Sequence, residues 1–496
     1  MILALAVRLW ALRFQPWVTI DGTDYIRFSE ALARGRLYVS PFPPGYPALI
    51  ALARTVVLDR VVAAAMVSLV AGTLLPWPVW TLARRAVGER WAIAPALAVA
   101  LHPILIQYST ITMSESAYLL GLYGALALAA AARAGPAGLA IGAGFTIRPE
   151  ALLPAAALAV REMRGGLPSP ALRRLAFAGI GFLLMAVPCW LYFHATLGQW
   201  TLSPKLVLIR TASESWQAEE ARFLRPAGAQ TPPVESGAAK PVHMMRQAPG
   251  HALAHGRFVL GMWPAPLLVL SFWGLTRRRG IEAIPLLHLL VLPFVALEQP
   301  RFVLSVIPSL AVLATVPLSM VTRRALTSTL GVFATAGMIW CWAANYREVV
   351  LPIEGYAGAQ KEAGEWLAGA ASLNDPVMDR KPHLAFYAGL PYRVMPDAPY
   401  DTLLDIAVHR GVRYLVLDEA VVRVFRPQLR PLIYDPALRA RERRLELIYA
   451  GGHFKGYGLM IFRVLRPGEA HSGRPPRFDV RWRTPGGELP RGVGAK

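Results

Sequence analysis

Apolar residues in this chain arrive in long blocks, not in the scattered positions of an amphipathic soluble fold. Uniform blocks of membrane-spanning length cover residues 60–82, 174–196, 303–320 and 325–345, separated by short basic punctuation. Such blocks are too long and uniform for a soluble core and predict bilayer-crossing helices. Residues 90–107, 116–132, 257–276 and 281–297 continue the series. With residues 1–12 they make about nine spans. Met1–Leu12 is apolar apart from Arg8, yet as a helix it would reach only about 18 Å against a hydrocarbon core of about 30 Å. The first helix therefore reads as short, as if an upstream segment were missing or the start had been placed downstream.

The basic residues set a direction. Arg84 and Arg85, Arg133, the triplet Arg277 to Arg279, and Arg323 with Arg324 each sit at one end of a block, the positive-inside pattern. The parity predicts residues 13–59 and 197–256 as outer loops and everything after Asn345 as extracytoplasmic. Pro136–Val160 breaks the alternation, because Arg133 precedes it and Arg161 and Arg164 follow it. Its middle holds Arg148, Pro149 and Glu150, and charge at membrane depth needs a polar cavity or protein partners. The segment is expected to form two short helices with the Arg-Pro-Glu turn facing the interior; a tilted helix with Arg148 snorkelling is the alternative.

After residue 345 the pattern becomes mixed, with helix-like Ala359–Ala371 and strand-like Tyr414–Leu417 and Leu459–Val464. The fold class expected is therefore mostly α: a polytopic helical bundle over 1–345 with a small α/β or α+β extracytoplasmic domain over 346–466. The Pro-, Gly- and Arg-rich stretch 467–496 is expected to be disordered. No internal repeat of the kind that marks many transporters is present.

Composition supports the membrane reading, with 55% apolar and 17% charged residues where globular domains carry about 25% charged. A net charge of +21 would suit nucleic acid, but many of the basic residues flank the apolar blocks, which excludes that partner class. Cys189 and Cys341 lie inside spans and read as core residues. His251 and His255 lack a third ligand and read as loop surface, so the expected metal ligands are none and a divalent metal has no support. Trp77, Trp80 and Trp340 read as interface belt or packing.

Three ionisable clusters fall at outer boundaries of this topology: Asp21-Gly22-Thr23-Asp24-Tyr25, before an amphipathic stretch Ile26–Leu32 expected to lie along the interface; Ser114-Glu115-Ser116; and Glu298-Gln299-Pro300-Arg301-Phe302. Transfer of a sugar needs a carboxylate to take the acceptor's proton and cations to stabilise the departing phosphate. Asp21, Asp24 and Glu115 are candidate acids; Arg148, Arg301 and Lys205 are candidate phosphate partners; Tyr25 and Glu150 complete the candidate substrate contacts. Helix capping by Asp21, Asp24 or Glu115, and a lipid-headgroup role for Arg301, are the structural alternatives.

These residues also carry a resemblance. Asp21-Gly-Thr-Asp-Tyr25, Ala31-Leu-Ala-Arg-Gly35 and Pro43-Pro-Gly-Tyr-Pro47, then Ser114-Glu115-Ser-Ala-Tyr118, Thr146-Ile-Arg148-Pro-Glu150 and Pro300-Arg301-Phe302 with Pro308, occur in the order seen in GT-C glycosyltransferases. The chain is similar to the protein mannosyltransferase and aminoarabinose transferase-related (glycosyltransferase 39-like) families, and Gly411–Asp418 looks like the outer domain often attached to them. The resemblance implies an inverting, polyprenyl-phosphate-sugar-dependent enzyme of a bacterial inner membrane, with the first-loop acid catalytic; Asp21 is the matching position. Many relatives carry Asp-Glu where this chain has Asp21-Gly22, which leaves the division of labour between Asp21 and Asp24 open. The implied partners are the lipid-linked donor, membrane lipids and an acceptor that is lipid, glycan or protein. A transporter or flippase of lipid-linked sugars and a non-catalytic subunit of an envelope polysaccharide system are the competing readings.

Overall fold

The computed structural model describes residues 1–163, 169–205, 207–208, 239–278, 280–295, 299–321, 324–352, 356–419, 421–454 and 457–478. The described residues form two compact units. One takes in Met1–Gln15 and the described residues from Asp24 to Pro352; the other takes in Pro16–Thr23 and the described residues from Tyr356 onward.

The first unit is helical. Three of its helices are long and apolar enough to cross a membrane: Arg60–Val87, Ser169–Leu197 and Pro300–Met320. Two bent pairs raise the number to five, Glu89–Leu101 with Pro103–Thr110 at 53° and Ala248–Met262 with Ala265–Arg277 at 107°. The chain is thus a membrane protein, but among the described residues the expected nine uninterrupted spans are not found. Proline is one cause. Pro103 follows the break at His102, Pro264 follows the break at Trp263, and Pro285 lies within the 3₁₀ turn Ile281–Leu287, which leaves only His288–Val295 as α-helix in the expected span 281–297. Proline lacks the N–H that would continue the ladder and restricts the residue before it. The remaining apolar helices are short, Glu115–Ala130 reaching about 24 Å at 1.5 Å per residue. A 27-residue helix, Arg324–Val350, occupies the expected last span.

Two further expectations are corrected. The outer loop assigned to 197–256 contains the start of a helix, Ala239–Met262, and on it His255 is buried and His251 half-buried against the Pro293 carbonyl, so neither is loop surface. Pro249 inside that helix, and its low apolar content, mimic loop composition in the sequence. The stretch Ile26–Leu32 is not an interfacial helix of its own; it belongs to Ile20–Ala33, with Ile26, Phe28 and Ser29 buried.

Helix contacts rely on small residues, as expected without a hydrophobic drive between apolar helices in lipid. Gly138 and Gly142, four residues apart on Ala134–Ile147, lie against the backbone of Ala178 and Phe182 on Ser169–Leu197; a methyl group at Gly138 would overlap the Ala178 carbonyl.

The second unit is an α/β sheet with strands β1 (Val377–Asp379), β2 (Tyr392–Val394), β3 (Tyr414–Asp418), β4 (Leu445–Phe454), β5 (Tyr457–Val464) and β6 (Arg477–Phe478), ordered β2-β1-β3-β5-β4-β6. β1 pairs in parallel with β2 and β3, β5 is antiparallel to both neighbours, and β6 runs parallel to β4. Period-2 alternation divides the strands between two cores. Met378, Leu415, Leu417 and Phe462 pack with Leu403, Leu404 and Ala407 of helix Tyr400–His409, while Val377, Val416 and Ile461 pack with Ala363 and Leu367 of helix Ala357–Ala370 and Leu384 and Ala385 of helix His383–Ala388. The stretch expected to be disordered from Pro467 contributes β6; residues 479–496 lie outside the described ones.

Candidate active site

The site is built on one helix face. Glu115, Tyr118, Leu119, Leu122 and Tyr123 recur at helical spacing on Glu115–Ala130, and all are buried. Tyr123 anchors this helix: its hydroxyl donates to the Ser305 carbonyl at 2.7 Å and accepts from the Ser309 N–H at 2.9 Å. Below it, Tyr46 and Ser68 share a 2.7 Å hydrogen bond, and Ser68 reaches the Met113 carbonyl at 2.9 Å, which fixes the backbone just before Glu115.

Arg148 lies in the break between helix Ala134–Ile147 and the 3₁₀ turn Pro149–Ala151, in extended conformation, as the two-helix reading expected. Proline after it disfavours the helical region for its backbone, and the side chain turns inward. Its guanidinium donates to Glu115 at 2.7 Å and to Glu150 at 3.0 Å. It also lies 5.8 Å from the Tyr118 ring centre and 5.7 Å from that of Phe302. With a side chain only 13% exposed beside a Glu115 that is 3% exposed, Arg148 is not snorkelling. Glu115 is not a helix cap, since it holds Arg148. Ser114 at the N-cap makes no capping bond and instead accepts from the Tyr25 hydroxyl at 3.1 Å.

A small pocket opens here, lined by Glu115, Tyr118, Arg148, Glu150, His288 and Arg301 among others. Arg301 is part of the 3₁₀ turn Pro300–Val306, its guanidinium 5.4 Å from the Phe302 ring centre. Glu298, from the same sequence cluster, lies outside the described residues. His288 and Tyr118 were not among the sequence candidates. The His288 Nδ1 hydrogen-bonds the Pro285 carbonyl at 3.0 Å, so Nδ1 carries the proton and Nε2 accepts from the Tyr118 hydroxyl at 3.3 Å. A histidine within an otherwise apolar stretch was the available signal.

The first-loop acids do not line this pocket. Asp24 accepts from the Tyr38 hydroxyl at 2.8 Å and the Ser40 hydroxyl at 2.5 Å, so it is neither a helix cap nor part of the pocket lining. Asp21 falls in the first turn of Ile20–Ala33, half-buried, in the unit that includes the α/β sheet. Lys205, half-buried, does not line the pocket. Among the described residues no group of three or more His, Cys, Asp or Glu side chains could hold a metal ion.

The described residues thus give a helical membrane unit with a buried Arg–Glu cluster, followed in the chain by an α/β unit. No family model matches the chain, and no characterised protein matches it in sequence. Solved structures do match. ArnT from Cupriavidus metallidurans in the apo state is similar with a TM-score of 0.58 at 14% identity, over 93% of this chain and 97% of that one. The same protein bound to undecaprenyl phosphate gives 0.56 at 15%, over 92% and 96%. The Archaeoglobus fulgidus oligosaccharyltransferase in complex with Zn and sulfate gives 0.57 at 15%, over 84% of this chain and 68% of that one. At such identities the likeness establishes a shared fold and no more.

Proposed function

We propose that the protein is an inverting glycosyltransferase of a bacterial inner membrane that moves a sugar from a polyprenyl-phosphate donor to an extracytoplasmic lipid, glycan or protein acceptor. The observation that carries the proposal is the buried Arg148 held between Glu115 and Glu150 in a pocket that Arg301 also lines. A guanidinium has five N–H donors; Arg148 spends one on each carboxylate. Positive groups in a largely buried pocket suit a phosphate on which charge develops as it departs. That one GT-C structure is of a protein bound to undecaprenyl phosphate supports the same donor class here.

In the proposed step an acceptor hydroxyl oxygen attacks the anomeric carbon from the face opposite the phosphate. The C–O bond to phosphate breaks with its electron pair, leaving polyprenyl phosphate. Asp21 takes the acceptor proton, while Arg148 and Arg301 hold the leaving phosphate. Asp24, Tyr25 and Lys205 are assigned to supporting contacts, and the α/β unit is assigned to the extracytoplasmic side.

The test is analysis of lipid-linked sugars and envelope glycans in a deletion strain. One polyprenyl-linked sugar should accumulate and one modification should disappear, both reversed by the intact gene. Unchanged glycans, or movement of the lipid-linked sugar across the membrane without transfer, would overturn the proposal.

A further inference from the structure

In open sheets with parallel strands, ligands bind outside the carboxyl ends at the point where strand order reverses. Here β1 lies between β2 and β3, so the chain leaves β1 toward one side and returns on the other. At that rim, helix Ala357–Ala370 begins above the end of β3, where the Gln360 amide meets the Asp418 carboxylate at 3.4 Å, and helix His383–Ala388 begins four residues after the end of β1.

A segment of the chain's own N-terminal region docks on the N-terminal part of helix Ala357–Ala370 and on helix His383–Ala388. The Val18 N–H donates to the Tyr387 hydroxyl at 2.9 Å, and the Val18 carbonyl meets His383 Nε2 at 3.1 Å. Lys361 donates to the Pro16 carbonyl at 3.3 Å. Trp17 packs on Gly358 so closely that a methyl group there would come within 2.8 Å of the ring. Both hydrogen-bonding groups of one backbone residue are therefore held by side chains more than 360 positions away. Two residues after Val18 the same segment enters helix Ile20–Ala33, which carries Asp21 in its first turn.

We propose that the α/β unit is the clamp that orients the first-loop carboxylate, with His383 and Tyr387 as positioning residues acting on Asp21 through the Val18 backbone. The clamp rests on the reading of Asp21 as base. Its ligand is the segment Pro16–Thr19, and its effect is geometric: displacement of a reacting group by about 1 Å costs on the order of 10²-fold in rate. Gln at position 383 retains a side-chain N–H donor; Ala does not.

The test uses the full chain in lipid nanodiscs and, in parallel, in a complemented deletion strain. His383→Ala and Tyr387→Phe should each speed hydrogen exchange of the amides of residues 18–24 and leave the affinity for undecaprenyl phosphate unchanged. The modified glycan should fall about 10- to 100-fold, and His383→Gln should restore it. In an Asp21→Asn background neither substitution should lower the product further, because the group they orient is gone. Full transfer by His383→Ala and Tyr387→Phe with Asp21→Asn inactive would overturn the clamp alone. Additive losses in the double variants would also overturn it. Full activity of Asp21→Asn would sink the base assignment and the clamp with it.

Discussion

The Tyr38 hydroxyl donates to Asp24 Oδ1 across 2.8 Å, while Ser40 takes the other carboxylate oxygen. Tyr38 in turn stacks on Phe28 at 5.3 Å and receives the Tyr192 hydroxyl at its backbone carbonyl. Asp24 thereby ties the loop at Tyr38–Ser40 to helix Ile20–Ala33. Asp21→Asn should lower transfer by about 10²–10⁴-fold, the usual weight of a general base, in protein that still folds, because Asn keeps the shape of the side chain. Asp24→Asn and Tyr38→Phe should both lower the melting temperature. Glycan analysis beside thermal unfolding in detergent separates the two residues; full transfer in Asp21→Asn with none in a folded Asp24→Asn would reverse the assignment.

The Glu115–Arg148 pair is buried, and removing one partner of such a pair leaves the other uncompensated at a cost of about 3–5 kcal/mol. Arg148→Ala should therefore lose folded protein as well as affinity for undecaprenyl phosphate, with Lys rescuing only in part because it lacks the planar fork. Arg301→Ala should weaken that affinity with a smaller loss of stability. Normal lipid binding by Arg301→Ala would leave Arg301 as a headgroup anchor.

Gly45 faces Thr146 with no room for a side chain, its neighbours there being the Thr146 hydroxyl and backbone carbonyl. Overpacking of this kind costs about 1–3 kcal/mol, and the displaced strand of chain leads directly to Arg148. Gly45→Ala should lower both thermal stability and undecaprenyl phosphate affinity. A neutral result in both assays would show that this contact does not position the turn.

Asp379 is fully buried at the end of β1, and burial, with Asp418 nearby, pushes its carboxyl up to about 8. An unfolded aspartate titrates near ~3.9, so between those values the folded unit binds the proton that the unfolded chain has released. Stability is then greatest at low pH and falls as pH rises toward 8. The unfolding of the α/β unit within the full chain should shift to lower temperature from pH 5 to pH 8, and Asp379→Asn should flatten that dependence. An unchanged slope in the variant would assign it to other groups.

A reporter fused after Asn345 should behave as periplasmic. Cytoplasmic activity at that fusion point would invert the topology and remove the extracytoplasmic assignment of every candidate residue beyond the membrane.

The long apolar blocks were readable because a bilayer imposes a length, and Arg60–Val87, Ser169–Leu197 and Pro300–Met320 lie where they were expected. The breaks at His102 and Trp263 were not read, since hydropathy averages over a proline that redirects the helix. Arg148 and Glu150 were legible as charges that needed partners. Which partner they took was a matter of three-dimensional register between Glu115–Ala130 and Ala134–Ile147. His288 offered only the weak signal of a single histidine in an apolar run, with no pattern to say what it meets. The contacts of Val18 with His383 and Tyr387 were beyond sequence reading altogether, because a backbone group leaves no mark in residue identity.

That Pro16–Thr23 belongs to the same compact unit as the sheet has a practical consequence for chimeras. Exchanging the C-terminal portion with that of a relative, cut after Pro352, would transplant a receptor without the strip of chain it receives. Among the described residues the unit comprises residues 16–23 and those from Tyr356 onward, so a graft that respects the architecture exchanges these together. Modularity in this protein is discontinuous along the gene, and a swap designed on linear boundaries alone would dissect one module.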